Sequence, residues 1–329
     1  MKILVTGAAG YIGAAAVARL LAAGHEVRGL DSLRFGGTAL LGSYLTGRFT
    51  LSNGDVRDRD AVAQAVADVD AVVHLAGIVG DPACAAEPAE AQEVNLDAAI
   101  TVHELARKAG VGRFAFASTC SVYGHCDAPA SEDAPLNPLS LYARTKVDAE
   151  ARLLASSDDQ MATTSLRFAT VYGLAPRMRF DLVVNTFVMQ ALTAGRIRVF
   201  TPDAWRPLIH VADVADSIAA VIAAPAPAVA GEVFNAGSAD NWQLAGVARL
   251  VASVCGPEVE IDATPVDGDP RDYRITTGKL AAAAGWTASR TLAGGVRELA
   301  GALSAGVLDG HPALENWPAV SASPRGVRR

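Results

Sequence analysis

Tyr142 and Lys146, in the run "YARTK", stand four residues apart near the start of a helix-patterned stretch, which puts both side chains on one face. A free phenol loses its proton near pH ~10, too high for a base at neutral pH. A neighbouring ammonium favours the phenolate and lowers that value. The pair therefore reads as a base with its activator. A further hydroxyl, Thr119, lies in "STCSVYG" (118–124), where a strand should end and a loop begin. Cys120 and Ser121 follow it. The stretch looks built for proton traffic, yet it holds no carboxylate.

A partner for such a base is written at the N-terminus, in "TGAAGYIG". Gly7 allows a tight turn off a strand, and Gly10 lets the backbone approach a pyrophosphate. Gly13 lets the new helix pack on the sheet with its N-terminus toward the anion. The motif follows a strand, opens a helix and is followed by Asp31 at the end of the second strand, the context of a dinucleotide site. A carboxylate at Asp31 takes both hydroxyls of the adenosine ribose and repels a 2′-phosphate, which favours NAD over NADP. Arg34 lies close enough in sequence to keep NADP within reach. Asp55, in "NGDVRD", is read either as a neighbour of the adenine or as a turn residue.

These residues need a frame, and the first half of the chain supplies one. Strand-length apolar runs fall at 2–7, 25–31, 49–55, 71–77, 113–119 and 164–173, with helix patterns at 11–23, 59–67, 91–109 and 141–155. Alternation of this kind predicts an α/β fold, a Rossmann-type doubly wound parallel sheet covered on both faces. Residues 1–174 form the expected dinucleotide domain. Residues 175–329 form a smaller substrate lobe that returns some segments to the first and carries a helix over 210–224. The tail "SPRGVRR" reads as a frayed end. A chain of 329 residues that is 51% hydrophobic can bury such a core. Net charge −7 with no long basic run argues against nucleic-acid binding, and no apolar stretch reaches the ~18 residues of a membrane helix. Cys84, Cys120, Cys126 and Cys255 lack CxxC spacing, so no metal site or disulfide frame is expected and a cytoplasmic setting is.

Taken in order, "TGAAGYIG", "GDVRD", "HLAG", "STCSVYG", "YARTK", "LRFATVYG", "WRPLIHVADVA" and "GDPRDYR" span nearly the whole chain. The set resembles the extended short-chain dehydrogenase/reductase family of nucleotide-sugar epimerases and dehydratases. The resemblance implies that Tyr142 is the base, that Lys146 also grips the nicotinamide ribose, and that Thr119 touches the substrate oxygen. His74, Leu75, Ala76 and Gly77 would line the pyrophosphate side through the backbone, with Asn95 beneath the fifth strand. Tyr11, Ile12, Val56, Ser118 and Phe168 would complete the NAD site. Asn185, Arg206 and Arg271 are implied on the substrate side, where an arginine fork suits a diphosphate. Thr170 departs from the Asn that many relatives carry before "VYG". A homodimer through the helices at 91–109 and 141–155 is implied as well.

The resemblance also gives the missing carboxylate a meaning. Relatives that dehydrate at C5–C6 carry an Asp-Glu pair after the Thr, and decarboxylating relatives keep a carboxylate nearby. Cys120 and Ser121 cannot readily replace such a pair, and nothing cationic adjoins Cys120 in sequence to make it a thiolate. Small uncharged residues there are what 4-epimerases show. The expected activity is therefore NAD-dependent 4-epimerisation of a nucleoside-diphosphate sugar through a transient 4-keto sugar. The alternatives are a dehydratase or other elimination enzyme, a 4-keto reductase, and a non-catalytic NAD-binding sensor.

Overall fold

A computed structural model of the chain describes residues 1–264 and 271–309. The apolar runs of the first half become β1 (Lys2–Thr6), β2 (Glu26–Asp31), β3 (Phe49–Asn53), β4 (Ala71–His74), β5 (Arg113–Thr119) and β6 (Ala162–Phe168). β4 and β6 are buried at every position, as strands covered by helices on both faces must be. Then come β7 (Thr170–Tyr172), β8 (Arg196–Arg198), β9 (Trp205–His210), β10 (Val233–Ala236), β11 (Asn241–Gln243) and β12 (Glu260–Asp262). Seven strands form one sheet in the order β10-β6-β5-β4-β1-β2-β3, each pair of neighbours parallel. This is the Rossmann-type sheet that the alternation predicts. Strand order reverses between β1 and β4, so the loops after these two strands open the crevice where such sheets hold ligands.

Two elements differ from their periodicity. The run 164–173 predicts one strand, but the structure divides it at Ala169. Its backbone N–H still donates to the Ala236 carbonyl at 2.9 Å, after which β7 leaves to pair with β9 in a three-stranded sheet, β11-β9-β7. Both halves read as strand and are almost wholly buried, so the pattern carries no mark of the change of sheet. The run 91–109 predicts one helix. It is instead the helix Pro88–Gln92, a π turn at Glu93–Asp97 and the helix Ala98–Lys108. The wider turn carries Asn95, whose Oδ1 accepts from the Ile78 N–H at 2.8 Å while Nδ2 donates to the Ile78 carbonyl at 2.9 Å. A local π turn at such a place fits the way these bulges cluster at functional sites.

β10 closes the β6 edge of the large sheet, and the helix Val211–Ala223, expected over 210–224, packs on the helix Tyr11–Ala22. Of the "GDPRDYR" motif, residues 268–270 lie outside the described residues, as does the tail 323–329. Among the described residues no helix is long and apolar enough to cross a membrane.

Candidate active site

The glycine turn runs from β1 into the helix Tyr11–Ala22. Gly7 has φ +69°, and a Cβ there would lie 2.8 Å from the Ala76 amide nitrogen. A Cβ on Gly13 would stand 2.0 Å from the Gly7 carbonyl oxygen, so the helix closes onto the turn only with glycine. The Gly10 N–H donates to the Gly7 carbonyl at 3.1 Å, and Ile12 is half-buried at the start of the helix. Asp31 stands beside this turn. Its Oδ2 accepts from the Ala9 N–H at 2.9 Å and its Oδ1 from the Leu33 N–H at 2.8 Å. Arg34, whose place in the sequence keeps NADP within reach, pairs with Glu90 at 3.3 Å. The guanidinium that interacts with the Asp31 charge is Arg177, stacked 4.2 Å from the Phe35 ring centroid.

Across the crevice, Leu75 and Ala76 are half-buried and donate to Thr6, at its carbonyl and its Oγ1 respectively, each at 3.2 Å. A Cβ on Gly77 would lie 3.0 Å from Asn95 Oδ1, so Asn95 fixes the loop from below. His74 is a strand histidine. Its Nδ1 shares a 2.9 Å hydrogen bond with Thr6 Oγ1, and burial brings its pKa down to about 3, keeping it neutral. Val56 is buried, and Phe168 is buried at the register position opposite Thr119. Arg57 pairs with Asp55 at 2.7 Å and holds its carboxyl below the usual range. Ser118 Oγ is buried and has no hydrogen-bond partner among the described residues.

Tyr142 and Lys146 lie on the helix Leu141–Leu154, begun by Ser140, whose Oγ accepts from the Ala143 N–H at 3.2 Å. Lys146 is 3% exposed; its Nζ donates to the Ala117 carbonyl at 2.9 Å and lies 4.7 Å from the Phe116 ring centroid. Burial lowers its pKa to about 8. The Tyr142 phenol is also buried, and burial pushes its pKa well up. The charge that opposes this most is Arg179, not Lys146, and a hydrogen bond with Thr119 acts in the same direction. The cation that favours the phenolate most thus lies far along the chain from the one expected one turn away. Thr119 Oγ1 also accepts from the Ser121 N–H at 3.1 Å, which opens the short turn Cys120–Tyr123.

The residues expected on the substrate side divide. Arg271 Nη1 lies 3.4 Å from Ser121 Oγ and 3.3 Å from Asp81 Oδ2, beside the base. Arg206, 4% exposed, donates to the carbonyls of Trp205 at 2.8 Å and Arg271 at 2.5 Å, so it holds the backbone that presents Arg271. Asn185 is fully buried. Its Oδ1 accepts from the Gly173 N–H at 3.0 Å, and its Nδ2 donates to the Arg179 carbonyl at 2.9 Å and to Tyr11 Oη at 3.3 Å. With its amide engaged in this way, Asn185 braces the backbone at Gly173 and Arg179. Tyr11 joins the same brace by donating to the Gly173 carbonyl at 2.6 Å.

Two residues at the site carry no local sequence signal. Arg179 stands out only as part of the unusual "RMRFD"; it pairs with Asp181 through Nε at 3.1 Å and Nη2 at 2.5 Å, and Nη2 lies 3.9 Å from where a Cβ on Gly80 would be. Asp81 lies in a loop-and-helix start with no periodic pattern. Only the fold brings it to Arg271.

Residues 3–237 match the NAD dependent epimerase/dehydratase family. The chain is 33% identical to a UDP-glucose 4-epimerase of Mycolicibacterium smegmatis, over 90% of its own length and 96% of that protein. It is 31% identical to a UDP-glucose 4-epimerase of Corynebacterium glutamicum, over 88% and 92% respectively. Its fold is similar to the crystal structure of Thermus thermophilus UDP-glucose 4-epimerase complexed with NAD, with a TM-score of 0.79, 28% identity, and coverage of 92% and 98%. A match over most of the chain, with relatives aligned nearly end to end, makes this chain a member of the NAD dependent epimerase/dehydratase family, the extended short-chain dehydrogenase/reductase type that its motifs resemble.

Proposed function

We propose that the protein is an NAD-dependent 4-epimerase of a nucleoside-diphosphate sugar. The observation that carries this reading is Tyr142 and a buried Lys146 one turn apart on one helix, with Thr119 at the end of β5 and uncharged Cys120 and Ser121 next in the chain. The residues around the crevice fit the dinucleotide. The glycine turn has no room for side chains at Gly7 and Gly13, Asp31 stands at the ribose end, and Ser118 Oγ is a buried hydroxyl awaiting a partner. On this reading Gly7, Gly10, Tyr11, Ile12, Gly13, Asp31, Leu75, Ala76, Gly77 and Ser118 hold NAD, with Lys146 on its nicotinamide ribose. NAD, when bound, supplies the hydride acceptor and donor at the sugar C4.

The chain supplies the proton chemistry. Thr119 and Tyr142 hold the C4 hydroxyl, and Tyr142 removes its proton as C4 is oxidised, then returns one to the same oxygen. Arg179 favours the phenolate against the burial that raises its pKa. Arg271 takes the diphosphate through its planar fork, held in place by Arg206. No net redox follows. Residues 1–174 serve as the dinucleotide domain and 175–329 as the substrate lobe, with β10 given back to the large sheet. The protein works in the cytoplasm as a homodimer joined through the helices at 91–109 and 141–155, a pairing carried over from the family resemblance.

The test is a panel of nucleotide sugars incubated without added cofactor and followed by NMR and mass spectrometry. The expected product has the mass of the substrate and inverted C4, keeps a C4 deuterium label, and takes up no solvent deuterium at C5. A product lighter by one water, or label at C5, would sink the reading.

A further inference from the structure

Asp81 begins the short helix Asp81–Ala86 that follows β4. Three residues on, Cys84 packs against Tyr142 in one apolar cluster with Ile78 and Leu141, which sets the start of this helix beside the base. Asp81 Oδ2 lies 3.3 Å from Arg271 Nη1, and the same nitrogen lies 3.4 Å from Ser121 Oγ. Asp81 thus bridges from the neighbourhood of Tyr142 to the Ser121–Arg271 pair. Its charge is felt at the Tyr142 phenol, where it opposes Arg179. The nearby cation on the other lobe, Arg179, is already paired with Asp181.

The two oxygens of Asp81 differ. Oδ2 has Arg271, whereas Oδ1 is buried without a hydrogen-bond partner among the described residues. A carboxylate oxygen only accepts, and a buried one is costly unless a donor reaches it. The part of a nucleotide sugar that comes beside Tyr142 is the hexose ring, whose hydroxyls are donors. An anionic substituent brought to the same oxygen offers no donor and carries the same charge.

We propose that Asp81 is a specificity-determining residue whose Oδ1 accepts a hydrogen bond from a hydroxyl of a neutral hexose and disfavours hexoses that carry a carboxylate. The inference rests on the epimerase reading above and deepens it by naming the class of sugar. It also supplies a carboxylate that the Thr119–Ser121 stretch lacks, from a different loop and for recognition in place of proton transfer.

Binding of UDP, UDP-glucose and UDP-glucuronic acid to the NAD-loaded protein, measured by calorimetry for wild type and Asp81→Asn, tests this. Each sugar nucleotide is normalised to UDP, because releasing Arg271 changes diphosphate binding for all three. Wild type is expected to prefer UDP-glucose, and Asp81→Asn to move the glucose-to-glucuronate ratio at least about tenfold toward the uronate. NAD content and UDP binding report on the fold, and Asp81→Ser serves if Asp81→Asn does not accumulate. A wild-type preference for UDP-glucuronic acid, or a ratio unmoved by both substitutions, overturns the proposal while leaving the epimerase reading intact. A wild-type protein that binds neither sugar nucleotide overturns both.

Discussion

Cys120 Sγ donates to the main-chain carbonyl of Arg167, 3.1 Å away across the paired ends of β5 and β6. The thiol is fully buried and burial pushes its pKa far up, so it faces the sheet as a small apolar side chain. The first of the two places that the family resemblance assigns to an Asp-Glu pair is a core position in this protein. Only its neighbour Ser121 turns toward Arg271.

That orientation predicts an almost silent substitution. Cys120→Ala should keep turnover within about threefold of wild type, since it removes no group that reaches substrate. Cys120→Asp should fold poorly, because a carboxylate there has no room and no cation of its own. Turnover and thermal melting of the two variants check this. A tenfold loss of turnover in a well-folded Cys120→Ala would return the thiol to the mechanism.

The base and its charges give a second expectation. Tyr142→Phe should retain NAD and lose turnover by on the order of 10²-fold or more, as removal of a general base does. Arg179→Gln should leave the base in place but raise its pKa, because the cation that favours the phenolate is gone. The acid limb of the pH–rate profile then moves to higher pH. On that limb, turnover at a fixed pH near 7 falls roughly tenfold for each pH unit the limb moves. An unmoved acid limb would show that Arg179 does not act on the base.

Cofactor choice follows from Asp31. Its carboxylate is held beside the glycine turn by the Ala9 and Leu33 amides, and its charge interacts with Arg177, stacked on Phe35. Asp31→Asn keeps an acceptor for only one of the Ala9 and Leu33 amides, which use different carboxylate oxygens, and it loses the charge. It should weaken NAD about tenfold or more and narrow the gap to NADP, as loss of a charged hydrogen bond implies. Titration of cofactor-free protein with both dinucleotides reads the change.

How far the sequence announces this site depends on distance along the chain. The glycine turn, Asp31 and the Tyr142–Lys146 pair are local: each is a short motif on one predicted element, and β5 falls on 113–119 as its apolar run predicts. The contributions of Arg179, Asp81 and Asn185 are not local. Arg179 acts on Tyr142 from a segment beyond β7, after the chain has left the large sheet at Ala169, a step that a single strand-length run does not reveal. Asn185 looks like a polar residue free for substrate until the fold surrounds it with Gly173, Arg179 and Tyr11. The sequence pattern marks what each element is, while the partners across elements come from packing.

The last prediction concerns the buried network that seats the catalytic helix. Glu150, one turn beyond Lys146, accepts from Arg167 Nη2 at 2.5 Å and from Ser165 Oγ at 2.6 Å, and both ionic side chains are 5% exposed. Arg167 Nη1 donates to Tyr123 Oη at 2.8 Å, and that phenol donates to Asn235 Oδ1 at 2.7 Å. One ion pair thereby ties the helix of Tyr142 and Lys146 to β6, β10 and the turn after Thr119. Arg167→Met should leave the Glu150 carboxylate buried and uncompensated, at a cost of about 3–5 kcal/mol in urea unfolding. Glu150→Leu combined with Arg167→Met removes both charges, and should recover most of that stability because the pair's own desolvation cost disappears with it. If the network acts by positioning, turnover should remain reduced in the double variant even where stability returns, since Tyr123 has lost the Arg167 donor and keeps only its bond to Asn235. Recovery of both together would mean that the ion pair contributes stability alone.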